Sequence, residues 1–157
     1  MIYLDASFLF SLHFRDSNTA SALLLASRAA ETLVVSALCE METINAFGLR
    51  VFRGEMSEQN VVNAMRDLES DFRSGLLQWR PVSDEAFQRA KALSRKHTAS
   101  IGVRAADLLH VATAIELGAT TFFTFDLKQA LAAQTAGLVV NEPPGELRQR
   151  ILRHKAT

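Results

Sequence analysis

The chain has a single cysteine in 157 residues, so Cys39 has no partner for an intramolecular disulfide and cannot build a cysteine-based zinc site. Turn formers are scarce, with three prolines and seven glycines. That scarcity argues against a sandwich or barrel of many short strands and favours a helix-rich chain. Neither charge is in excess, since 17 basic residues face 17 acidic ones. Net charge therefore gives no argument for nucleic acid or for an anionic membrane. Long apolar runs are also missing. The richest stretch, residues 20–30, is broken by Ser21, Ser27 and Arg28, well short of the ~18 residues of a membrane span. The first residues lack a basic segment and carry Asp5 where a signal peptide would turn apolar. The expectation is a cytoplasmic protein without membrane contact. What is present is ordinary for a globular chain: 48% apolar and 22% charged residues exclude wholesale disorder, and residues 1–157 are the length of one domain.

Two periods alternate along the chain. Apolar and β-branched runs predict strands over residues 2–4, 32–35, 76–79, 121–125 and 138–140. Between them, 3–4 spacing predicts helices over 7–13, 18–30, 38–53, 57–72, 83–96, 105–117 and 127–136. Asn18, Ser57 and Ser83 stand at helix starts, and Gly54, Gly118 and Gly137 follow helix ends. The inner faces are expected to carry Leu23, Leu24 and Ala26; Val61, Val62, Met65, Leu68 and Phe72; and Phe87, Ala90 and Leu93. The tail from Glu142 to Thr157 is polar and basic, with room for one more helix. Strands separated by helices imply a three-layer α/β/α fold with a central, mainly parallel sheet. In such sheets ligands sit beyond the carboxyl ends of the strands.

The residues at those ends are acidic. Asp5 follows the first strand, Glu40 and Glu42 open the helix after the second, Asp107 opens the most apolar helix, and Asp126 follows the fourth strand. Each alone is explained as a helix cap or as a partner of the helix dipole, worth ~0.3–1 kcal/mol. As a set they are harder to dismiss, because gathered carboxylates destabilise one another unless a cation is present. Oxygen-only ligands favour hard ions such as Mg²⁺ or Mn²⁺.

Four segments carry a family resemblance: Leu4-Asp5-Ala6-Ser7; the run from Ser36 to Ala46 with Glu40, Glu42 and Asn45; the run from Arg104 to Ala114 with Asp107; and Thr124-Phe125-Asp126 followed by Ala136-Gly137-Leu138. In order and spacing, over about residues 1–141, they resemble PIN domains, in particular the VapC toxins of toxin–antitoxin pairs. The resemblance implies a metal-dependent ribonuclease with catalytic and metal-binding acids at Asp5, Glu42, Asp107 and Asp126. It places Ser7, Thr124, Asn45 and Arg104 around them. It also implies one or two Mg²⁺ or Mn²⁺ ions, an RNA substrate hydrolysed by in-line displacement, a cognate antitoxin protein and a homodimer. The family's Glu-x-x-Asn pattern selects Glu42 with Asn45, whereas helical periodicity leaves Glu40 and Glu42 as alternatives. The antitoxin groove would lie on the helices carrying Phe47, Val51, Phe52, Val61, Val62, Met65 and Phe72, whose plain alternative is to pack on one another.

His110, one turn after Asp107, is read as a packed core residue rather than a ligand, and Cys39 as a small buried hydrophobe. The basic tail with Arg148, Arg150, Arg153, His154 and Lys155 is read as a solvated terminus before an RNA contact. Two other functions compete. A housekeeping RNA-processing nuclease would share the chemistry but lack a neighbouring antitoxin frame. An aspartyl-nucleophile phosphohydrolase would need Asp-x-Asp, and the second position here is Ser7.

Overall fold

The computed structural model describes residues 1–141. In chain order the elements are β1 (Ile2–Leu4), α1 (Ala6–His13), α2 (Thr19–Arg28), β2 (Leu33–Ser36), α3 (Ala37–Phe52), α4 (Glu58–Ser74), β3 (Leu77–Arg80), α5 (Asp84–Ile101), α6 (Ala105–Glu116), β4 (Thr121–Phe123), α7 (Leu127–Thr135) and β5 (Val139–Val140). The strands form one five-stranded sheet of order β3-β2-β1-β4-β5, giving the α/β/α class that the alternation implies. Contacts divide the described residues into two compact units, one running from Leu4 to Pro81 and the other joining Met1–Tyr3 to residues 82–141.

In the unit from Leu4 to Pro81, β2 is buried along its whole length and pairs in parallel with β3, Leu33 beside Leu77 and Ser36 beside Arg80. The core gathers Phe10, Phe47, Met56 and Ala64, with the Phe10 and Phe47 rings 5.1 Å apart. Helix α4 begins with a reciprocal cap: the Asn60 amide donates to Ser57 Oγ, and the Ser57 amide donates to Asn60 Oδ1. It ends at Gly75, whose φ of 80° suits a residue without a Cβ. Two inner faces differ from expectation. On α2 it is Ala22 that is buried, so Leu23 and Leu24 are exposed. On α4, Ala64 and Leu68 face inward and Val62 is exposed. The reason is rotational. Each residue advances ~100° around a helix, so a small buried alanine turns its near neighbours to solvent.

In the other unit, β4 pairs in parallel with β5, and Tyr3, Val111, Phe122, Ala133 and Leu138 share a core with Ile101 and Leu108. The Tyr3 ring stacks on Phe122 at 5.4 Å. Helix α5 outruns its expected end, reaching Ile101 before Gly102 takes φ 69°. Its buried stripe is Ala86, His97 and Ile101, and Phe87 is exposed for the same rotational reason. Strand β4 stops at Phe123, short of the expected 125, because the Thr124 amide donates to the Asn141 side chain instead of continuing the ladder. Among the described residues no helix is long and apolar enough to cross a membrane. The tail carrying Arg148 to Lys155 lies outside the described residues.

Candidate active site

Asp5 follows β1 and caps α1. Its Oδ1 accepts the Phe8 amide at 2.8 Å, and the Ser7 hydroxyl lies within 2.8 and 2.9 Å of its two oxygens. Asp5 is 2% exposed, and this cap and Ser7 both constrain the orientation of its carboxylate. Ser36 ends β2 and caps α3 by accepting the Cys39 amide at 3.3 Å. Cys39, Thr43 and Phe47 form the buried stripe of α3. Burial pushes the Cys39 thiol well above its ordinary value. The charges of Asp5, then Glu42, then Glu40 push it in the same direction, while a hydrogen bond with Thr43 opposes them. Asp5 and Glu42 thus both act on one buried sulfur from within the same unit. Glu40 has a different partner: its Oε2 accepts the Trp79 indole N–H at 3.1 Å. Glu42 is half-buried, and Asn45, one turn on, is exposed.

The second unit carries two more acids. Asp107 lies in the first turn of α6, and its Oδ2 accepts the Arg104 backbone amide at 3.0 Å. Asp126 caps α7, and its Oδ1 accepts the Gln129 amide at 2.8 Å. The Asp126 amide donates to the Thr124 hydroxyl at 2.9 Å. The link between the two acids is Gln129, a residue the sequence reading passed over. Its Nε2 donates to Asp107 Oδ1 at 3.2 Å while its backbone amide holds Asp126. Gln129 is 3% exposed, and its Oε1 is a buried side-chain atom with no hydrogen-bond partner among the described residues. Such an atom ordinarily costs ~1–3 kcal/mol. The sequence offers only the capping-box spacing of Asp126-Leu127-Lys128-Gln129, which points the side chain to its own helix start rather than to Asp107. His110 is in the core, fully buried, with its Nδ1 2.9 Å from the Tyr3 hydroxyl. The Arg104 side chain is exposed.

Among the described residues, no group of three or more His, Cys, Asp or Glu side chains could by itself hold a metal ion. One or two carboxylates suffice for Mg²⁺, which keeps several waters and takes substrate phosphates as further ligands. Exclusively oxygen donors and an orphaned buried acceptor beside Asp107 fit a hydrated hard cation.

A parallel sheet whose strands lead into helices, two of them capped by Asp5 and Asp126, defines an α/β protein of the kind that binds ligands beyond its strand ends. More narrowly, the PIN domain family matches residues 2–134, and the chain belongs to that family. Among solved structures it is similar to VapC20 of Mycobacterium tuberculosis, a sarcin–ricin loop cleaving toxin, at 19% identity and a TM-score of 0.69, covering 91% of this chain and 100% of that one. It is also similar to FitAcB from Neisseria gonorrhoeae, at 20% identity and a TM-score of 0.62, covering 91% and 98%. A third is VapBC2 from Rickettsia felis, bound to a DNA fragment from its promoter, at 20% identity and a TM-score of 0.62, covering 90% and 98%. A comparison with curated proteins finds no match.

Proposed function

We propose that this PIN domain protein is a metal-dependent endoribonuclease and the toxin of a toxin–antitoxin pair. The observation that carries the reading is Gln129, whose side-chain and backbone amides hold two acids at helix starts, Asp107 and Asp126, with Asp5 and Glu42 as the two further acids. We take these four as one catalytic set, as family membership implies. When bound, Mg²⁺ or Mn²⁺ would supply Lewis acidity and an activated water for phosphodiester hydrolysis. The chain's own part is to hold that ion and the scissile phosphate in place. Asp5 and Asp107 are the ligands proposed, with Glu42 and Asp126 completing the negative set. Ser7 fixes the Asp5 carboxylate, and Thr124 fixes the start of α7 and hence Asp126. Asn45 and the exposed Arg104 stand available to substrate phosphates or to the acids.

The partner reading rests on α3 and α4. Phe47, Val51, Val61 and Met65 pack inside their unit, as the plain alternative required. Met41, Ile44, Leu49, Val62 and above all Phe52, 88% exposed, do not. This residual apolar face is where we place the antitoxin, and the same fold would form a homodimer. The deciding experiment incubates the purified protein with single-stranded and structured RNAs under Mg²⁺, Mn²⁺ or chelator, alongside Asp5→Asn and Asp107→Asn. Cleavage that needs metal and both acids supports the reading. Cleavage that survives in chelator or in both variants rejects it.

A further inference from the structure

Helix α7 starts in an unusual way. With Asp126 at its cap and Gln129 three residues on, the usual arrangement would send the Gln129 side chain back to the Asp126 amide. That amide is already taken by Thr124 Oγ1 at 2.9 Å. Gln129 is thereby released to reach another helix, and its Nε2 meets Asp107 Oδ1 at 3.2 Å. An ionised carboxylate only accepts hydrogen bonds, so Asp107 determines which end of the amide faces it. The opposite end, Oε1, is left buried and, among the described residues, unpartnered. Folded proteins pair nearly all such atoms, and an exception at a group of acids calls for a missing water or ion.

We propose that Gln129 is a positioning residue of the cation centre. Its two nitrogens hold Asp107 and Asp126 at a fixed separation, and its Oε1 accepts a hydrogen bond from a water carried by the bound ion. The inference rests on the metal-dependent reading above and adds to it a residue outside the acidic set. A simple packing role explains burial and the bond to Asp107. It does not explain why an amide was kept where its oxygen has no partner, since methionine would fill the same space.

The test is Gln129→Met, which keeps the length and removes donor and acceptor together. Two quantities are read: Mn²⁺ affinity by electron paramagnetic resonance of the free ion, and the melting temperature in chelator. The expected result is a metal-free melting temperature equal to or above wild type with Mn²⁺ affinity reduced ~10–100-fold, the usual effect of losing an outer partner of a metal ligand. Unchanged affinity with a lowered metal-free melting temperature makes Gln129 purely structural and overturns the inference alone. Absence of Mn²⁺ binding by the wild type overturns the metal-dependent reading and this one with it. A variant that does not fold leaves the decision to the wild-type protein. There, the Gln129 side-chain amide resonances should shift on Mg²⁺ addition, and resonances that stay fixed at saturating Mg²⁺ overturn the inference.

Discussion

The indole N–H of Trp79 donates to Glu40 across 3.1 Å, joining strand β3 to the first turn of α3. Two residues further on, Glu42 points some 200° around the same helix. The adjacent acids therefore serve different neighbours, and their amide variants should behave differently. Glu42→Gln should abolish RNA cleavage while leaving or raising metal-free stability, because it removes one negative charge from the proposed acidic set. Glu40→Gln retains an acceptor for Trp79 and should leave cleavage within a few-fold of wild type. The reverse pattern in a cleavage assay would shift the register of the site on α3.

Metal should stabilise the fold. An ion bound by the native state alone adds about 2.7 kcal/mol at a hundred times its Kd. At this chain length that is several degrees, at ~2–4 °C per kcal/mol. Thermal scans with millimolar Mg²⁺ or Mn²⁺ should show the rise in wild type and a smaller one in Asp107→Asn. Equal rises in both would place the ion elsewhere.

The Cys39 thiol gives a pH dependence with a definite sign. Burial and the nearby carboxylates hold it protonated above its ordinary value of 9.0. Above that value the unfolded chain gives up the thiol proton while the folded chain keeps it. Stability from this group is thus whole below 9.0 and falls as pH rises, by at most about 1.4 kcal/mol per unit. In metal-free denaturant titrations, wild type should lose stability between pH 9 and 10.5 relative to Cys39→Ala. Parallel curves would show that the thiol does not titrate differently in the two states.

The Tyr3 hydroxyl serves a buried imidazole, 2.9 Å from His110 Nδ1. Tyr3→Phe keeps the stacking on Phe122 and removes that bond. It should cost ~1–3 kcal/mol, because the imidazole cannot turn to water instead. Calorimetry would register it, and metal affinity should not change. A loss of Mn²⁺ binding in this variant would bring His110 back as a member of the site.

Much of the architecture was legible because strand and helix periods alternate cleanly and because Ser57 and Ser83 announce helix starts with hydroxyls that do cap them, whereas Asn18 starts α2 without a side-chain cap bond. Faces were less legible. Leu23, Leu24 and Phe87 looked inward on hydrophobicity alone, but Ala22 and Ala86 permit the closer approach and took the core. Strand β4 looked longer than it is because the competing bond from Thr124 to Asn141 spans 17 residues and leaves no local pattern. Of the acids, each could be placed at its strand or helix end from the sequence. The role of Gln129 could not, since it depends on Thr124 having displaced it from its own cap.

Asp5 and Asp126 cap helices, and Asp107 sits in a helix's first turn. Each carboxylate meets the positive end of a peptide dipole, worth ~0.3–1 kcal/mol. The backbone thereby supplies a weak, permanent counter-charge, present whether or not an ion has arrived. On the proposed metal-dependent reading, removing the ion with a chelator would leave that counter-charge in place, so the empty site would carry less repulsion than its acids alone imply.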